Sequence, residues 1–87
     1  MNATAEQQQW TKELINQLEE STFASEDLMD RIEQMISNRD LLEQYTTVLS
    51  KRVRGSKYPS ATMQDRLLRL FNLLQRLDER EKQGEGK

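Results

Sequence analysis

Met35-Ile36-Ser37-Asn38-Arg39-Asp40-Leu41-Leu42 is the stretch on which the fold turns. Apolar residues stand on both sides of it: Leu28, Met29, Ile32, Met35 and Ile36 before, and Leu41, Leu42, Tyr45, Val48, Leu49 and Val53 after. Each group has helical spacing, but their centres differ by on the order of 100° or more on an ideal helical wheel. Two arrangements produce that offset. Asn38 is a competent N-cap, so a break there would give four helices in all. Alternatively, a single helix about 30 residues and ~45 Å long faces one neighbour with its first half and another with its second. Leu28, Met35, Leu42 and Leu49 keep a seven-residue spacing straight through the polar turn, which favours the single helix. We therefore expect one helix over about 25–54, with Arg39 and Thr46 as polar seam positions that fix register at some cost in stability.

Towards the N-terminus, Trp10, Leu14, Ile15 and Leu18 share a face only about 140° wide, which predicts a short amphipathic helix over roughly 4–20. Thr4 and Gln7 have capping-box spacing at its start. Ser21-Thr22-Phe23-Ala24-Ser25-Glu26-Asp27 reads as a turn, with Ser25 capping the next helix, two acids following it, and Phe23 as the plug beneath. Towards the C-terminus, Lys51, Arg52 and Arg54 suit the last turn of the long helix, Gly55 suits a left-handed cap and Pro59 forbids continuation. Ser60, or Thr62 paired with Asp65, starts the last helix, over about 61–83. There Met63, Leu67, Leu70, Leu74 and Leu77 form a heptad seam, and Leu68, Phe71 and Leu73 widen it to roughly 220°, more than one neighbour covers. A polar tail over 84–87 is expected to be flexible.

The expectation is an all-α fold, an antiparallel helical hairpin or three-helix bundle with one long central helix, forming a single domain over 1–83. Composition agrees: 87 residues hold one Pro and three Gly, and no hairpin signal interrupts the helical residues. At 34% hydrophobic the core is small, so part of the stability is expected from a partner. The net charge of −2 hides an asymmetry, because residues 1–50 carry ten acids and three bases while residues 51–87 carry ten bases and five acids. We expect the two kinds of segment to pair within one bundle, the last helix lying between the first two and relieving their repulsion. Asp65 with Arg69 and Asp78 with Lys82 add favourable i,i+4 pairs on the last helix.

The absence of Cys and His removes disulfides, thiolate chemistry, Cys/His zinc sites and imidazole catalysis. The remaining carboxylates, Glu19, Glu20, Glu26, Asp27, Asp30 and Glu33, read as dipole-facing or solvated charge, so neither an enzyme nor a cofactor or metal site is expected. No segment approaches the ~20 apolar residues of a membrane span, and the polar N-terminus lacks a signal-peptide pattern, so a soluble, cytoplasmic chain is expected.

The functional expectation is a non-catalytic protein–protein interaction module. In size and charge the chain is similar to small acidic helical chaperones and assembly adaptors, such as those of bacterial secretion and flagellar export, with no motif specifying a family. The candidate surface comprises Met35, Leu42, Tyr45, Leu49, Leu67, Phe71 and Leu74, facing another helical protein or a second copy. The alternative is a small regulator binding nucleic acid through the basic segment 51–69, with Lys51, Arg52, Arg54, Lys57, Arg66 and Arg69 as anion contacts beside Tyr58. A sequence pI near 5.2 argues against that alternative.

Overall fold

The computed structural model describes residues 5–85, with side chains to Glu81. These residues form four helices and no strand: α1 (Ala5–Glu20), α2 (Glu26–Met35), α3 (Arg39–Gly55) and α4 (Ala61–Glu85). The Thr4 cap lies outside the described residues. Of the tail expected over 84–87, Gly84 and Glu85 continue α4, and 86–87 lie outside the described residues. No helix among the described residues is long and apolar enough to cross a membrane.

The single long helix expected over 25–54 is replaced by two. Ile36 leaves the helical region at φ −64° and ψ 122°, its N–H bonding the Ile32 carbonyl at 3.0 Å. Asn38 is extended at φ −147° and ψ 169°, and its Oδ1 accepts the Leu41 N–H at 2.9 Å, starting α3. The break has a physical reason. Only by turning the chain at Asn38 can Met29 and Ile32 of α2 and Leu41, Leu42, Tyr45 and Leu49 of α3 enter one core, where all are buried. The heptad through Leu28, Met35, Leu42 and Leu49 is not the seam, since Leu28 and Met35 are only partly buried.

Ser25 and Ser60 cap α2 and α4, each hydroxyl accepting the N–H three residues on, at 3.3 Å from Leu28 and 3.1 Å from Met63. Gly55 takes no left-handed conformation; α3 ends instead in extended Ser56, whose N–H bonds the Val53 carbonyl at 3.3 Å. The end of α1 is capped from a distance. Arg52 Nη1 donates to the Leu18 and Ser21 carbonyls at 2.8 Å each, and Nη2 to Thr22 at 3.1 Å, supplying donors for carbonyls that a helix C-terminus leaves open.

These contacts fix the topology. Glu19 meets Lys51 at one end of α1 and α3, while Gln8 and Asn38 line the same groove at the other end, so α1 and α3 run parallel. α2 runs back between them in sequence, and α4 is antiparallel to α3, with Arg39 reaching Asp78 and Glu81. α3 packs against both α1 and α4, whereas α2 packs on α1. The last helix therefore does not lie between the first two. The core holds Leu14, Ile15 and Leu18 of α1 with Leu67 and Leu70 of α4 added at its edge. Trp10, expected on the core face, is half exposed, and Thr11 is buried in its place with its hydroxyl bonded to the Gln7 carbonyl at 2.8 Å. Phe23 is no plug: it is 82% exposed.

The molecule is thin, 46 × 29 × 15 Å, with a radius of gyration of 14.0 Å where a compact chain of this length has about 12 Å. Three helices side by side with a short fourth across one face do not complete a second layer.

Candidate functional site

α4 is anchored at two points by arginines. Near its start, the Arg66 side chain is 6% exposed and bonds Glu33 at 2.5 Å and Asp30 at 3.0 Å, with Glu26 at 3.7 Å. Tyr45 donates its hydroxyl to the same Glu33 oxygen. Burial disfavours the Arg66 cation, but bonds to Glu33 and Asp30 outweigh it and hold the guanidinium proton more firmly than usual. Burial, and then the bond to Glu33, push the Tyr45 phenol well above its usual range. Near the far end, Arg39 bonds Glu43 at 2.7 Å and Glu81 at 2.8 Å and also contacts Asp78, all at the surface. Asp78 thus meets Arg39 across the helix pair, and the acids Asp30 and Glu33, expected to be solvated, neutralise a buried cation.

The expected interface residues divide. Leu42, Tyr45, Leu49 and Leu67 are buried in this chain's own core, and Met35 and Leu74 are partly buried against it. Phe71 alone of that set is left 47% exposed, together with Leu68 and Leu73 on either flank of α4. The seven-residue pattern could not distinguish these because α4, packed mainly on α3 and touching α2 through Arg66, buries only the middle of a wide apolar arc.

The expected anion contacts divide in the same way. Arg52 caps α1, Arg66 is buried and Lys51 faces Glu19 at 3.6 Å. Arg54, Lys57 and Arg69 are exposed, with Tyr58 exposed in the α3–α4 loop.

The face opposite α2 is open. α3 forms a central ridge of exposed residues, Asp40, Glu43, Gln44, Thr47, Lys51 and Arg54, with a groove on each side. The α1 side has Ile15 and Val48 at its floor and Lys12, Asn16 and Glu19 on its rim. The α4 side is walled by Phe71 and Leu74 against Thr46, Thr47 and Ser50. Sequence reasoning passed over this ridge because its residues are polar; the signal available was the placement of Asp40 and Glu43 early, and Lys51 and Arg54 late, on one helix face. Chemically the surface offers complementary charge around small residues and one aromatic ring. Comparison with protein-family models, curated proteins and solved structures finds no match to this chain.

Proposed function

We propose that this chain is a non-catalytic, cytoplasmic protein–protein interaction module, a small helical adaptor, chaperone or assembly subunit that docks its open helical layer on another helical surface. The observation that carries the reading is unfinished burial. The accessible surface is 6512 Å², whereas a folded monomer of 10.3 kDa is expected to expose about 5,400 Å². Among the described residues, Phe71 stands half exposed on the wall of the open groove and Leu68 is exposed near it, while Leu73 is exposed on the α2 side of α4. Apolar side chains placed on a helix beside an open groove are what a partner helix uses. The lack of Cys agrees with a reducing compartment.

The test is concentration-dependent association, together with binding of a dye that reports apolar patches. Both should weaken in the double variant Leu68→Ser/Phe71→Ser while far-UV circular dichroism stays unchanged. A chain that remains monomeric and binds no dye sinks the reading. Nucleic-acid binding through 51–69 is less well supported, because Arg52 and Arg66 are engaged within the fold. Titration of labelled DNA and RNA at low and moderate salt should give no salt-dependent signal.

A further inference from the structure

We propose that the occupant of the open face is a second copy of this chain, laid antiparallel along α3 with Thr47 on the two-fold axis. The proposal rests on the interaction-module reading and names its partner. The charges on the ridge are ordered by sign. Asp40 and Glu43 stand seven and four residues before Thr47, and Lys51 and Arg54 stand four and seven residues after it. At 100° per residue the five side chains fall within about 80° of arc centred on Thr47. The ridge is therefore acidic at one end, basic at the other and neutral and small in the middle, with all five residues exposed.

A two-fold axis through Thr47, perpendicular to the helix, sets the acidic end of one copy against the basic end of the other. It also preserves the lateral side of the ridge. Glu43 then meets Arg54 of the second copy and Asp40 meets Lys51 of the second copy, each pair offset by about 4.5 Å along the axis, within reach of these side chains. The same axis places α1 against α1 and α4 against α4. Since Glu19 is level with Lys51 and Lys12 lies seven residues before it on the same groove wall, Lys12 comes opposite Glu19 of the second copy. Lys12 has no ion-pair partner among the described residues. Phe71, which shares its groove with Thr46 and Thr47, comes close to its own copy beside the axis.

The helix dipole explains an acid in the first turn and bases in the last taken singly. It does not explain why they share one ridge with a small central residue, nor a half-exposed phenyl ring at the same level. Isologous pairing needs this kind of surface, in which each patch complements itself.

Sedimentation equilibrium of the full chain from about 5 to 100 µM, a range spanning a micromolar Kd, should show a dimer. Glu43→Arg and Arg54→Glu should each raise the Kd at least about tenfold, because each places two like-charged pairs in the interface. Mixing the two variants should restore the dimer, since both cross-pairs are then of opposite sign. Circular dichroism checks that each variant folds; if Glu43→Arg does not, Asp40→Lys with Lys51→Glu makes the same complementation. Because the chain has no Cys, Thr47→Cys should give a disulfide-linked dimer with oxidised glutathione, while Glu13→Cys, on the exposed far side of α1, should not. Folded variants whose mixture stays monomeric overturn the proposal. A wild-type monomer that still binds the apolar-patch dye overturns the second copy and leaves the interaction module standing. A monomer that binds no dye overturns both.

Discussion

The two arginines that anchor α4 are matched in partners and opposite in setting. Arg66 and Arg39 each approach three carboxylates, but the Arg66 side chain is 6% exposed and that of Arg39 31%. The first is inserted between α2 and α4 beside Tyr45, with its Nε left without a hydrogen-bond partner. The second lies across the surface of α3 and α4. Equal numbers of ion pairs do not mean equal hold. A buried guanidinium has given up its hydration, so its bonds to Glu33 and Asp30 cannot be replaced by water, whereas each surface pair on Arg39 exchanges with solvent and is screened by salt. The N-terminal half of α4, which also buries Leu67 and Leu70, should therefore be the firm end, and the half beyond Phe71 the soft end.

Arg66→Ala should have the largest effect. It leaves Glu33 facing the Tyr45 hydroxyl without its cation and should cost about 3–5 kcal/mol. Urea denaturation would measure this, and a loss no larger than that of Arg39→Ala would overturn the contrast. Arg66→Met combined with Glu33→Leu and Tyr45→Phe removes both charges together with the hydroxyl that Glu33 accepts, so it should recover most of that loss, because well-packed apolar replacements of a buried pair are often neutral.

Next in size is Tyr45→Phe, which removes the hydroxyl bonded to Glu33 and should cost about 1–3 kcal/mol. The same residue sets an alkaline limit. Its phenol is raised above the unfolded value of about 10, so above that pH the unfolded chain releases the proton first and the folded chain binds more protons. The contribution of Tyr45 is present in full below pH ~10 and is lost as the pH rises further. Melting temperatures measured across that range should fall for the wild type and fall less steeply for Tyr45→Phe.

Arg39→Ala should have the smallest effect on stability, and that effect should shrink further in high salt. Hydrogen exchange sharpens the same point: amides of α4 near Asp78 should open before those near Leu67, and Arg39→Ala should accelerate only the former.

Much of the local structure was legible in the residues. Ser25 and Ser60 have the hydroxyl that an N-cap needs, Leu14, Ile15 and Leu18 mark the inner face of α1, and Pro59 separates α3 from α4. Asn38 was legible as a cap, yet it lost to a heptad that ran through it. Periodicity in one dimension counts spacings and cannot tell that Met29 and Ile32, not Leu28 and Met35, are the residues a neighbour covers. The candidate surface was legible only in outline: Phe71 stayed outside, while Leu42, Tyr45, Leu49 and Leu67 were consumed by the core. Of the basic segment, Arg52 and Arg66 turned inward, because open carbonyls at the end of α1 and acids on α2 lie within their reach.

The helical class, the starts of α2 and α4 and the lack of imidazole and thiolate groups were all readable from the residues, because caps, propensities and composition act through residues near one another in the chain. Only the tertiary structure decided that the central segment breaks in two, which apolar residues remain in water and which arginines are buried. Those outcomes depend on which helix lies beside which, and the contacts that settle them, such as Arg66 with Glu33 and Arg52 with Leu18, join residues some thirty positions apart.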